Sequence, residues 1–158
     1  MLSSKSPVLV IDDEKDLAES IKGTLESSPK YKGLTANSAQ DALRILEEHK
    51  TRRGGNHIKC ILLDIKMPGM DGLQFLEEIR QKYREEIGVI IVSAYEDDEK
   101  WGKALHGKVL GYLTKPFNSA QLLEMVDAAF EGESAKEDLK ISAYDKYFDK
   151  FKKYKREV

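Results

Sequence analysis

Four short apolar runs in this chain each lead directly into residues whose side chains can do chemistry. If the runs are parallel strands of one sheet, their carboxyl ends lie along one edge, where open α/β sheets bind ligands. The sequence therefore predicts three carboxylates, a hydroxyl and an ammonium close together at that edge. The runs and the residues that follow them are Val8–Ile11 with Asp12 and Asp13, Cys60–Leu63 with Asp64, Val89–Val92 with Ser93, and Val109–Leu113 with Lys115 and Pro116.

Such a group of side chains suits a metal ion and a phosphoryl group. Carboxylates held close together repel one another and attract a cation, and oxygen donors without His or Cys favour Mg²⁺ or Mn²⁺ over zinc. A carboxylate can also attack phosphorus to form an aspartyl phosphate. An ammonium such as Lys115 and a hydroxyl such as Ser93 can then bind the phosphoryl oxygens. The alternative is a set of unrelated polar residues at strand ends, which the joint occurrence of all five argues against.

The elements needed to position these residues alternate along the chain. Apolar runs too short for helices are separated by segments with apolar residues at helical spacing, a pattern typical of βα units around a parallel sheet. Ser38, Asp71 and Asn118 are suited to cap three of the helices. The predicted strands are Val8–Ile11, Tyr31–Ala36, Cys60–Leu63, Ile87–Val92 and Val109–Leu113. The predicted helices are Lys15–Glu26, Ser38–His49, Asp71–Tyr83, Asp97–Leu105 and Asn118–Glu131.

Length and composition indicate a small protein of the reducing cytoplasm. A chain of 158 residues is normally one domain with a sizeable core, and a formal net charge of −2 argues against a whole-protein nucleic-acid or membrane role. Cys60 has no partner for an internal disulfide and reads as a buried apolar residue. No apolar stretch approaches the ~20 residues of a membrane span. Met1–Pro7 lacks the apolar segment of a signal peptide.

The motifs around the candidate site resemble the receiver domain of two-component response regulators. They are Val8–Glu14, Leu62–Gly72 (which contains Asp64-Ile-Lys-Met-Pro-Gly-Met-Asp-Gly), Ile91–Ala94 and Tyr112–Phe117. The resemblance covers about residues 6–131, leaving 132–158 as a linker and a C-terminal helix. It implies a doubly wound, flavodoxin-like α/β fold with five parallel strands in the order 2-1-3-4-5.

The resemblance also assigns a role to each residue of the site. Asp64 would be the phosphoacceptor, and Asp13, Asp64 and the backbone carbonyl of Lys66 would bind Mg²⁺ directly. Asp12 would hold the metal through water. Ser93 and Lys115 would bind the phosphoryl oxygens, and the Lys115–Pro116 peptide bond would be cis.

Two further features of the family concern signalling. After phosphorylation Ser93 would move toward the phosphoryl group, and Tyr112 would rotate inward, altering the surface formed by the last two helices and the last strand. Tyr112 could instead be a half-buried aromatic residue without a switching role. In the family, the positions of Lys66 and Tyr95 control hydrolysis of the acyl phosphate. Their bulk predicts slow autodephosphorylation.

Two segments depart from the family pattern. Lys50–His57 lengthens one loop, which we expect to be exposed and to lie opposite the phosphorylation site. Gly107-Lys108-Val109 replaces a small-residue stretch before the last strand, and Trp101 reads equally as a partner contact or as packing. Beyond these, the C-terminal segment carries an aromatic stripe at helical spacing with a basic end. The stripe comprises Tyr144, Tyr147, Phe148, Phe151 and Tyr154.

The tail leaves several possibilities open. It could pack on the receiver's own surface, mediate homodimerisation, bind a partner, a membrane or nucleic acid, or be the severed start of an output domain. It is too short for a winged-helix or helix-turn-helix DNA-binding domain.

These observations predict a phosphorylation-dependent response regulator, expected to be single-domain. It would accept a phosphoryl group from a histidine kinase or a histidine phosphotransfer protein and signal through a downstream protein, and it would be no enzyme beyond its own phosphorylation chemistry. One alternative is a receiver cut from a longer transcription factor or signalling enzyme. Another is a Mg²⁺-dependent phosphohydrolase. Such enzymes resembling haloacid dehalogenases carry an Asp two residues after the nucleophile, where this chain has Lys66, or Lys15 if Asp13 were the nucleophile.

Overall fold

The computed structural model describes residues 4–65, 72–84, 86–94, 109–132 and 135–141. Of the sequence-based predictions, those for Lys66, the Asp71 cap, Tyr95, the helix Asp97–Leu105 with Trp101, and the aromatic stripe lie outside these residues. The strands are β1 (Ser6–Ile11), β2 (Tyr31–Ala36), β3 (Cys60–Asp64), β4 (Gly88–Ala94) and β5 (Gly111–Lys115). The helices are α1 (Lys15–Glu26), α2 (Ala39–Glu48), α3 (Gly72–Tyr83) and α4 (Ser119–Phe130), and residues 135–141 form a further helical segment.

The five strands form one parallel sheet in the order β2-β1-β3-β4-β5, as predicted. The strands β1, β3 and β4 are apolar and almost fully buried, as expected for strands covered on both faces. Their register aligns the carboxyl ends, because Ile11 pairs with Leu63 and Asp64 pairs with Val92. The sheet is therefore the doubly wound, flavodoxin-like arrangement in which a ligand site is expected at that edge.

Two apolar layers cover the two faces of the sheet. One layer packs α2 and α3 against the sheet around Leu46, Leu76 and Ile79. The other packs α1 and α4 against the opposite face around Ile21, Leu25, Leu122 and Val126; we call it the α1/α4 layer. The two layers pack against the strands from both sides and so fix the positions of the site residues at the strand ends.

Two of the predicted helix caps are observed as hydrogen bonds. The Ser38 hydroxyl accepts a bond from the Asp41 amide at 3.1 Å. Asn118 and Gln121 form a reciprocal capping box at the start of α4, with N···O distances of 2.8 and 2.9 Å. The second cap fixes where α4 begins, directly after the strand that carries Lys115.

The last strand is displaced from its predicted position. The apolar run predicted a strand over Val109–Leu113, whereas β5 spans Gly111–Lys115. Val109 and Leu110 are buried but precede the strand, because pairing with β4 begins at Ile90 with Gly111. The prediction followed apolar character, and the strand instead continues into Thr114 and Lys115, whose backbone pairs with Ser93 and Ala94.

The loop between α2 and β3 is more ordered than predicted. Lys50 and Asn56 form an antiparallel bridge, and Asn56 is fully buried rather than exposed. Its side-chain amide donates to the Leu46 carbonyl at 2.7 Å and accepts from the Ile58 amide at 2.9 Å. These bonds satisfy backbone groups that burial would otherwise leave unpaired. The loop precedes β3 and therefore lies at the amino-terminal edge of the sheet, opposite the candidate site.

Candidate functional site

The predicted acidic residues meet at the carboxyl ends of β1 and β3. Asp12 and Asp13 follow β1, and Asp64 is the last residue of β3. One carboxylate oxygen from each of the three lies within 4.8 Å of the other two. Asp12 and Asp64 are buried, at 1% and 6% exposure, whereas Asp13 is exposed to solvent. The group therefore has two carboxylates fixed in the protein and a third facing solvent.

Lys115 connects the two buried carboxylates. Its ammonium nitrogen lies 3.2 Å from Asp64 Oδ2 and 3.3 Å from Asp12 Oδ2. Lys115 ends β5, and its peptide bond to Pro116 is cis. Although burial alone would lower the pKa of this ammonium, the negative charges of Asp64 and Asp12 outweigh it and raise the pKa. The ammonium is therefore held in its charged form beside both carboxylates.

Asp12 is held by its backbone as well as by its side chain. Its carboxylate accepts a hydrogen bond from the Glu14 amide at 2.9 Å, and its own amide donates to the Ala36 carbonyl at 3.0 Å. Burial raises the pKa of the Asp12 carboxyl; the Glu14 amide and the Lys115 ammonium oppose that rise. The nearby Asp64 charge raises the pKa further. Because close negative charges repel one another, a metal ion bound beside these carboxylates would be stabilised.

Asn37 is a contributor to the site that the sequence analysis missed. It follows β2, and its side-chain amide donates to the Asp12 carbonyl at 2.9 Å. Together with the Asp12–Ala36 backbone bond, this contact fixes the loop that presents Asp12 and Asp13. An Asn directly after a predicted strand that neighbours β1 was the available signal.

The other predicted residues lie at the same edge or close to it. Ser93 is buried in β4, one residue after Val92, the partner of Asp64 in the sheet. Tyr112 lies in β5, is half-buried and packs against the layer formed by α2 and α3. The structure thus brings Asp12, Asp13, Asp64 and Lys115 into one group and places Ser93 on the adjacent strand.

The donor set of this group fits a hard divalent cation. All three side chains offer carboxylate oxygen, the ligand type that Mg²⁺ prefers, and the group has no imidazole or thiolate to select zinc. Asp13 is open to solvent, so a metal bound there could keep several of its water ligands, as Mg²⁺ usually does in proteins. The acidic cluster could therefore hold a metal ion.

Among the residues that the structure describes, no helix is both long enough and apolar enough to cross a membrane.

Comparisons with known proteins agree with the fold. The transcriptional regulatory protein MalR of Bacillus subtilis is 39% identical over 112 residues, which are 70% of this chain and 44% of MalR. The hydrogenase transcriptional regulatory protein HoxA of Cupriavidus necator is 29% identical over 140 residues, 88% of this chain and 27% of HoxA. The chain thus spans between about a quarter and a half of these relatives' length.

The solved structure of a response regulator receiver domain protein from Clostridium thermocellum superposes with a TM-score of 0.67 at 31% identity. The match covers 78% of this chain and 93% of that one. The family model described as the response regulator receiver domain matches residues 8–127, which contain α1 to α3 and all five strands except the first two residues of β1. The chain therefore belongs to the response regulator receiver domain family.

Proposed function

We propose that this receiver is a phosphorylation-dependent switch in which Asp64 accepts a phosphoryl group with the help of Mg²⁺. The observation that carries the proposal is the position of Asp64, at the end of β3, where it contacts the Lys115 ammonium and belongs to one carboxylate cluster with Asp12 and Asp13. In this position a nucleophilic carboxylate has an ammonium beside it and two further carboxylates with which it could hold a metal ion. Phosphoryl transfer needs both, because charge spreads over three phosphoryl oxygens.

The proposed transfer is a displacement at phosphorus. A carboxylate oxygen of Asp64 forms a bond to phosphorus while the bond from phosphorus to the donor breaks, and the donor leaves with that electron pair. The donor would be the phosphohistidine of a histidine kinase or of a phosphotransfer protein. A bound Mg²⁺ would neutralise charge on the phosphoryl oxygens. Asp12, Asp13 and Asp64 would hold it, together with the Lys66 carbonyl that the family resemblance adds.

The protein's own groups would then bind the product. The Lys115 ammonium, now hydrogen-bonded to Asp64 and Asp12, can donate to a phosphoryl oxygen on Asp64 instead. The Ser93 hydroxyl would donate to another. We propose that this rearrangement is transmitted along β5, because Ser93 pairs with Thr114 and the half-buried Tyr112 lies two residues earlier on that strand. We propose Lys66 and Tyr95 as residues that slow the loss of the phosphoryl group by obstructing water.

The output is proposed to pass through protein contacts, with a homodimer as one form of such a contact. The relatives with which the chain was compared are named as transcriptional regulators, and the chain spans only 27% of HoxA and 44% of MalR. A receiver that belongs to a longer transcription factor or signalling enzyme is therefore a second reading of the same domain. A receiver within such a longer protein would use the same phosphorylation chemistry. We propose that the protein lies in the cytoplasm, whether the receiver stands alone or belongs to a longer protein.

A turnover experiment separates a self-phosphorylating switch from a phosphohydrolase. The protein is incubated with Mg²⁺ and either acetyl phosphate or a range of phosphate esters, and released phosphate is compared with protein-bound phosphate. We expect at most one bound phosphoryl group per chain and no sustained hydrolysis of esters. Many ester turnovers per chain, lost in Asp64→Asn, would establish the hydrolase instead.

A further inference from the structure

The chain turns sharply after the last helix of the receiver. Helix α4 ends at Phe130, and Gly132 adopts a φ of +112°, a left-handed conformation that residues with a Cβ rarely accept. A second helical segment, residues 135–141, follows, and the Lys136 amide donates to the Gly132 carbonyl at 3.1 Å. The segment is therefore a separate helical element and no straight continuation of α4.

The segment presents one apolar side chain to the domain and another to solvent. Leu139 is half-buried and packs against the α1/α4 layer. Ile141 is 57% exposed and is the only large apolar residue found so exposed among the residues described. Residues two positions apart in a helix are separated by a rotation of about 200° about its axis, so the side chains of Leu139 and Ile141 point in nearly opposite directions. The segment thus has a defined inner face.

A second observation places the segment near the amino-terminal edge of the sheet. Cys60 is the first residue of β3 and is fully buried. Burial raises the pKa of its thiol to about 12, and the positive charge of Lys136 acts in the opposite direction. Geometry gives the position directly: the ring of Phe130, the last residue of α4, lies 5.5 Å from the ring of Tyr31, the first residue of β2, so α4 ends at the amino-terminal edge of the sheet. The segment that follows α4 therefore begins at the end of the sheet away from Asp64.

We propose that residues 135–141 form a clasp that docks on the α1/α4 layer and is an integral part of this receiver. The contact that holds the clasp is the packing of Leu139 on this layer. This inference concerns the resting fold and does not depend on the proposed phosphorylation.

A matched pair of variants tests the clasp in the full chain. Leu139→Ser removes the docked side chain, whereas Ile141→Ser makes a similar change two residues later, on the exposed side. The two positions share one helical segment, so loss of helix propensity affects both variants in a similar way. Cys60 is the natural reporter, because its thiol reacts with an excess of a thiol-specific reagent only when the surrounding structure opens.

We expect Leu139→Ser to speed labelling of Cys60 by about tenfold and to lower the urea midpoint, as loss of a docked apolar contact should. Ile141→Ser should label within about twofold of wild type, as expected for a change on the surface. Equal labelling rates in the two variants would overturn the proposal.

Amide hydrogen exchange on the wild-type chain gives an answer even if Leu139→Ser does not fold. A docked clasp should protect the amides of residues 136–141 from exchange. Exchange of these amides at the rate of an unfolded peptide would also overturn the proposal.

Discussion

The ammonium of Lys115 lies 3.2 Å from Asp64 Oδ2 and contacts Asp12 Oδ2 at 3.3 Å, so one cation joins two carboxylates from different strands. Only 17% of the Lys115 side chain is exposed, and the two carboxylate side chains are exposed by 2% and 8%. Charges so removed from water are costly unless they are paired. Lys115 therefore stabilises the acidic cluster and can also be redirected when a new anion is formed on Asp64.

Replacing Lys115 with Met should destabilise the metal-free protein and make it more dependent on Mg²⁺. Methionine keeps the apolar stem but leaves two buried carboxylates without this ammonium, at a cost of about 3–5 kcal/mol. Urea unfolding in the presence of a chelator measures the loss, and the same titration in Mg²⁺ should recover part of it.

Lys30→Met is the matched control for this change. Lys30 also faces a carboxylate, at 3.5 Å from Asp127, but 64% of its side chain is exposed, so its loss should cost less than about 0.5 kcal/mol. Equal effects of the two substitutions in chelator would mean that Lys115 does not stabilise the cluster.

Mg²⁺ should stabilise the wild-type protein, and Asp13 should be required for that effect. A ligand that binds only the folded state adds about 2.7 kcal/mol of stability when present at a hundred times its Kd. Asp13→Asn should abolish most of the rise in melting temperature, because it removes the exposed carboxylate of the cluster. Asp16→Asn removes a neighbouring exposed carboxylate from the first turn of α1 and should leave the rise intact. A full Mg²⁺ response in Asp13→Asn would contradict the proposed ligand set.

Cys60 should make the protein less stable as the pH rises above 9.0. Burial raises the pKa of its thiol from 9.0 to about 12, so the unfolded chain loses this proton first. The folded state then binds more protons than the unfolded state, and the free energy of unfolding falls with pH, by up to about 1.4 kcal/mol per pH unit. Below pH 9.0 the thiol stays protonated in both states and the contribution is complete.

Urea unfolding of wild type and Cys60→Ala, from neutral pH to one unit above 9.0, tests this difference. The decline with pH should be shallower in the variant, whatever its absolute stability. Tyr31 is present in both proteins; burial raises its pKa too, so its contribution cancels in the comparison. Parallel curves would show that Cys60 does not titrate differently in the two states.

Much of the fold follows from local patterns in the sequence. The buried runs of β1, β3 and β4, the helical spacing of apolar residues and the caps Ser38 and Asn118 each predict an element that is observed. Element ends were less predictable. β5 continues through Thr114 to Lys115, because pairing with β4 and not apolar character decides where it ends.

Contacts between distant residues were beyond the reach of sequence patterns. Asn37 holds the Asp12 backbone, and Asn56 is buried inside a polar loop, and both depend on the three-dimensional course of the chain. The docking of Leu139 is of the same kind, because helical spacing predicts an apolar face but does not say which surface it contacts.

The central claim is that Asp64 takes up a phosphoryl group, and mass spectrometry of the intact protein tests it most directly. Wild type and Asp64→Asn are treated with acetyl phosphate and Mg²⁺, with a chelator as a parallel control. The account predicts one phosphoryl group on wild type, lost in acid or in hydroxylamine, and none in Asp64→Asn or in chelator. An unmodified wild-type protein, or the same phosphoryl group on Asp64→Asn, would contradict it.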